Sequence, residues 1–305
     1  MQPRLVGRLA FIFFLIALPV AALGQEQQAD ATFDASVTRP AYTTTHPRVA
    51  IDEAHFNFHT ASGRYKPFAN LVTNDGYAVA ANKEKFNAQS LATFEVLVIA
   101  NAGAAQPKAA DQTKPAFTAE ECDAVREWVR AGGSLLLIAD HAPAGDAAAI
   151  LGERFGIDMS KGFTADPLNF EHVTMDAGWI RFTREKGSLA DHPVTRGRNA
   201  SERVNSVLTF TGQSLKGPAG STAVLKLSNQ AYDVFDPGHP DKAKTVSAAG
   251  RAQAIALPFG KGRVFVSAEA AMFTAQETNF GLNYPGTDDK QYVLNVMHWL
   301  TGLLK

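Results

Sequence analysis

The segment from Ser134 to Asp146, read as Ser-Leu-Leu-Leu-Ile-Ala-Asp-His-Ala-Pro-Ala-Gly-Asp, constrains this chain more than any other. Four consecutive apolar residues follow a Gly-Gly break, which is the pattern of a strand buried on both faces. The run stops at two ionisable residues, Asp140 and His141. Pro143 has no N–H with which to continue a ladder, and Gly145-Asp146 reads as the start of a helix over 147–155 with Asp146 as its cap. Strand, polar tip and helix in that order suit an open α/β sheet, in which ligands bind beyond the strand tips.

The flanking chain repeats the alternation. Residues 48–52 form a first apolar run, 67–73 a short helix, 77–80 a second strand and 94–100 a third, which is apolar almost throughout. Thr118-Ala-Glu-Glu121 matches a capping box, Cys122, Val125, Trp128 and Val129 recur at helical spacing, and Gly132-Gly133 stops that helix. Strand, helix, strand, helix from 94 to 155 implies a doubly wound, mostly parallel sheet flanked by helices. Later segments are weaker: strands at 180–182, 204–211 and 222–227, and an exposed loop over 229–249. Two apolar runs around Gly260-Lys261-Gly262 make an antiparallel C-terminal hairpin, and a helix capped by Thr287 closes the chain.

Arg4 and Arg8, the apolar run 9–18 and small residues at 22 and 24 have the layout of a cleaved secretory signal over 1–24. This implies a periplasmic or secreted protein, with a flexible polar arm over 25–47 and one domain over 48–305. The apolar run is shorter than the roughly 20 residues a membrane span needs, and no later segment is long enough, so no integral membrane segment is expected after signal removal. Loss of 1–24 removes two arginines and no acid, which leaves 27 basic against 30 acidic residues. A balance so close to neutral carries no footprint for nucleic acid. A single cysteine, Cys122, excludes an intrachain disulfide.

Five pieces of this pattern together resemble the class I glutamine amidotransferase-like superfamily, in particular its exported and trehalose-utilisation-like branches. They are Ile51 to Thr60, Ala139-Asp140-His141-Ala142-Pro143, Asp191 to Gly197, Glu269 to Gln276, and His298-Trp299-Leu300. The resemblance spans about 48–303 and implies a flavodoxin-like α/β fold. It also implies a nucleophilic cysteine in a Gly-x-Cys-x-Gly turn at the tip of the 134–138 strand, and there this chain departs from it. The tip carries Asp140 and His141, and Cys122 sits on the apolar face of a helix with no base beside it. Thioester hydrolysis of glutamine is therefore not expected.

If the strands run parallel, their C-terminal ends share one rim. Asp140, His141 and Glu269 would then form the acid/base or ligand group. Asp52, His55, Asn57, His59 and Asn101 would complete a binding site for a small polar ligand. A carbohydrate-like ligand is implied by the trehalose-utilisation branch alone. Three histidines and two carboxylates are also a donor set for a divalent metal, although their spacing matches no standard signature. Two other readings stand beside the first: a non-catalytic binding or scaffold domain of the cell envelope, in which these groups only cap helices and tie loops, and a metal-dependent hydrolase. Asp191-His192-Pro193 reads as a turn capped by Asp191, and His298 as packing beside Trp299.

Overall fold

A computed structural model describes residues 28–106, 111–239 and 241–305. The leader-like stretch 1–24 lies outside the described residues. Four strands and four helices alternate through the first half: β1 (Arg48–Asp52), α1 (Lys66–Asn74), β2 (Ala78–Asn82), α2 (Ala88–Leu91), β3 (Val96–Ala100), α3 (Ala119–Ala131), β4 (Ser134–Ile138) and α4 (Ala144–Glu153). The hairpin strands are Ala252–Phe259 and Gly262–Ser267, and the last helix is Asp289–Leu300.

The central sheet runs β2-β1-β3-β4 and then Gly262–Ser267, all mutually parallel. Ala252–Phe259 then pairs antiparallel with Gly262–Ser267 and begins an antiparallel margin. This is the expected doubly wound α/β sheet with an antiparallel hairpin. The apolar runs alternate in side-chain direction as the pleat requires. Val96, Val98, Leu136, Ile138 and Phe265 face one core with α1 and the last helix. Leu97, Ile99, Leu135, Leu137, Val264 and Val266 face the other with Cys122, Val125 and Val129 of α3. Burial on both faces explains why these strands read as unbroken apolar runs.

Local signals located most elements. Thr118 and Glu121 form the reciprocal capping box of α3, and Gly132 ends that helix at φ 131°. Other expectations are corrected. Asp146 lies in the first turn of α4, whose N-cap is Pro143, so it is not the cap. The last helix starts after Asp288, not Thr287. The span 229–249 is not wholly loop: Tyr232–Phe235 pairs with both Lys244–Ser247 and Phe163–Ala165 in a small antiparallel sheet. Of the flexible arm expected over 25–47, the described part, 28–47, is irregular but docked. Phe33, Val37 and Tyr42 pack on the core. The Ala41 amide donates to Asp75 at 2.8 Å and the Tyr42 hydroxyl to Thr301 at 2.8 Å. Among the described residues no helix is long and apolar enough to cross a membrane.

Candidate functional site

The tip of β4 and the end of Gly262–Ser267 are neighbours on one rim, because those strands pair parallel from Arg263↔Ser134 to Ser267↔Ile138. Glu269 therefore lies on the same rim as Asp140. The Ala270 amide donates to Asp140 Oδ1 at 2.6 Å. Asn101, at the tip of β3 with φ 45°, grips Asp140 from the other side. Its Nδ2 donates to Asp140 Oδ2 at 2.7 Å, and the Asp140 amide donates to its Oδ1 at 3.0 Å. Glu269 accepts the amides of Ala271 at 2.5 Å and Met272 at 2.8 Å, the first two residues of the short 3-10 turn Ala271–Phe273.

Burial pushes the Asp140 carboxyl above its ordinary value, against the pull of His141, Asn101 and the Ala270 amide. Burial, and then the charge of Asp140, pushes Glu269 well above its ordinary value. Both carboxylates have their oxygens taken by the protein's own donors, so they tie loops together. His141 acts on Asp140 through its charge and makes no hydrogen bond to either carboxylate: its Nδ1 donates to Ala142 O at 2.7 Å and its ring stacks on Phe163 at 3.5 Å. Sequence reasoning missed Gln213, which holds the same tip by donating to Ala139 O and Asp140 O, each at 2.9 Å.

The histidines after β1 do not join that group through any hydrogen bond. His55 is fully buried. Its Nδ1 reaches both Asp52 oxygens at 3.0 Å, and its Nε2 reaches Glu121 Oε1 at 2.9 Å. Burial works against ionisation of Glu121, but the Thr118 amide and His55 outweigh it, and its pKa sits below the ordinary value. His59 stacks on Tyr65 at 4.6 Å. Burial and the nearby Arg64 charge push it down to about 3, so it is neutral over the working pH range. Tyr65 in turn donates to Ala270 O at 2.9 Å. Among the described residues no three His, Cys, Asp or Glu side chains are grouped to hold a metal ion, so the expected donor set is not assembled.

The opening on this rim lies beside the network, over the ends of β1 and β3. A cleft of about 460 Å³ is lined by Glu53, Ala54, Phe56, Asn57, Phe58, Thr60, Arg64 and Gln106. Asn57 belongs to the expected binding set, and its amide donates to Asp52 at 2.9 Å. Phe56 and Phe58 are 46% and 40% exposed, which is unusual for Phe, and the Arg64 guanidinium lies 3.8 Å from the Phe58 ring centre. Phe56 also sits at φ 46°, a left-handed conformation that is costly for a bulky side chain. Glu53, Arg64 and Gln106 were not singled out from the sequence. For Glu53 the only cue was its place in the polar stretch after β1.

Elsewhere, His192 and not Asp191 caps its short helix, by accepting the Val194 amide at 3.2 Å. His298 is buried and pairs with Asp75 at 2.6 Å. Cys122 is buried among apolar neighbours, and burial raises its thiol to about 11, which fits an inert packing role.

The fold is shared with solved proteins of very different sequence. The mmIFT52 N-terminal domain superposes with a TM-score of 0.59 at 14% identity, covering 83% of this chain and 97% of that one. Cytoplasmic protein STM1381 from Salmonella typhimurium LT2 does so with 0.50 at 13% identity, covering 83% and 98%. A ThuA-like protein from Bacteroides uniformis gives 0.45 at 14% identity, covering 86% and 94%. Likeness at such identities concerns the fold alone. No family model matches the chain, and no curated protein matches it either.

Proposed function

We propose that this is an exported, amidotransferase-like α/β protein without cysteine chemistry. It binds a small polar ligand non-covalently in the cleft over the C-terminal ends of β1 and β3. The observation that carries the reading is Phe56: an exposed, bulky residue held at φ 46° on the lip of a cleft that is also lined by Glu53, Asn57 and Arg64. Residues held in sparsely populated backbone regions cluster at functional sites, and clefts are where ligands bind. Binding is preferred over hydrolysis because Asp140 and Glu269 are occupied by backbone amides and by Asn101. The leader-like residues 1–24 support the periplasm or the exterior as the place of action, and fractionation of cells expressing the full chain tests that part.

The binding test is a thermal-shift screen with sugars, polyols, amino acids, nucleosides and dicarboxylates, run on the natural chain and on a folded Phe56→Ala/Asn57→Ala variant. At least one class is expected to raise the melting temperature of the natural chain and to leave the variant unmoved. An equal rise in both proteins, or no rise with any class, overturns the assignment.

A further inference from the structure

We propose that His55 is a positioning residue: a buried imidazolium clamped between Asp52 and Glu121 that, together with Asn57, holds Phe56 in its strained conformation at the lip of the cleft. The role rests on the cleft being the ligand site. The clamp itself is read from geometry. A neutral imidazole has one N–H and one bare nitrogen. Here both nitrogens face carboxylate oxygens, at 3.0 Å and 2.9 Å, in a fully buried ring. A bare nitrogen would set its lone pair against those of an ionised carboxylate, whereas a doubly protonated ring gives each carboxylate a charge-assisted donor, which is the arrangement proposed here.

The His55 ring has no exposed surface. Phe86 and Phe117 flank the imidazole at 4.6 and 4.7 Å between ring centres. The charged groups around it are Asp52 at the end of β1, Glu121 in the first turn of α3, and Lys85 before α2, which acts on Glu121. Low local polarity strengthens each of these contacts.

The link to the cleft is a closed set of bonds around one residue. Asp52 Oδ2 is shared by His55 Nδ1 and Asn57 Nδ2. The His55 amide donates to Asn57 Oδ1 at 3.1 Å, spanning Phe56. The Gly103 amide donates to His55 O at 2.8 Å, and the Phe58 amide to Asn101 O at 3.0 Å. Phe56 is pinned on both sides, which accounts for a left-handed conformation its own side chain disfavours. Glu121 extends the clamp to the start of α3, 66 residues away in the chain.

Two measurements on ligand-free, full-length protein test this. The first is the ¹H–¹⁵N correlation of the His55 ring at pH 7, assigned by its loss in His55→Gln. Both nitrogens are expected to be protonated, and a single bare nitrogen overturns the proposal. The second is amide hydrogen exchange in the milder Glu121→Gln. The amides of His55, Phe58 and Gly103 are expected to exchange about tenfold faster, while Ala256 and Val264 of the central hairpin keep their rates. No change at the three amides, or an equal rise in the hairpin, overturns the positioning role. Neither readout needs a ligand. An unresponsive screen would therefore count against the ligand reading alone, and a failed clamp against His55 alone.

Discussion

The two halves of one sheet rim use the same chemistry to opposite ends. At the tips of β4 and Gly262–Ser267, Asp140 and Glu269 are enclosed by donors from Ala270, Ala271, Met272 and Asn101. At the tip of β1, Asp52 and Glu121 are equally enclosed, but what they hold is a segment whose side chains open onto a cleft. The first network stabilises a turn, and the second presents a surface. A carboxylate at a strand tip is therefore a poor guide to a site until its hydrogen-bond partners are known.

The largest expected effect tests the first network. Glu269→Ala leaves the Ala271 and Met272 amides without their acceptor, and two buried orphan donors at about 1–3 kcal/mol each put the loss near 4 kcal/mol. Asn57→Ala, on the open half, leaves one donor, the His55 amide, without its acceptor and should cost about 2 kcal/mol. Urea midpoints of the two variants check the contrast, and equal losses would break it.

A second effect comes from His59, whose pKa falls to about 3 in the folded chain. The unfolded chain binds its proton near 6.5, so this stability is complete above pH 6.5 and is lost as the pH falls toward 3. At pH 5 the loss is about 2 kcal/mol. His59→Phe, which keeps the stack on Tyr65, should flatten that part of the stability profile. Some acid sensitivity should remain from His192, which is pushed down to about 4.

A smaller and opposite effect is expected at the lip. Phe56→Gly should raise stability by about 1 kcal/mol, because glycine adopts φ 46° without strain, and should weaken ligand binding. Lower stability in that variant would show that the lip is not strained for function. The smallest effect belongs to Cys122. Its buried thiol should resist alkylation in the folded protein and react only after unfolding, which mass spectrometry reads directly.

Much of this was legible in the chain. The capping box at Thr118 and Glu121 and the Gly-Gly break located α3 and β4, because such signals act within a few residues. Parallel alternation also placed Asp140 on the ligand-binding rim, whereas Glu269 could share it only if its hairpin strand ran the same way, which the pairing of Gly262–Ser267 with β4 decides. The partners of each polar group were not legible. Glu121 announced itself only as a capping residue, and nothing local showed that its other oxygen takes the His55 imidazole. Tyr232–Phe235 and Lys244–Ser247 were missed because they are short strands, one broken by Asp233 and the other wholly exposed, and carry no apolar run.

The sequence by itself determined the α/β sheet, its parallel heart, its hairpin and the absence of a cysteine at the strand tip. Hydrophobic period and turn chemistry are local, and they leave their mark residue by residue. Only the tertiary structure decided which carboxylates are closed off and which stretch of the rim is open. A carboxylate's role depends on donors brought to it from distant parts of the chain, and no spacing along the chain records that meeting.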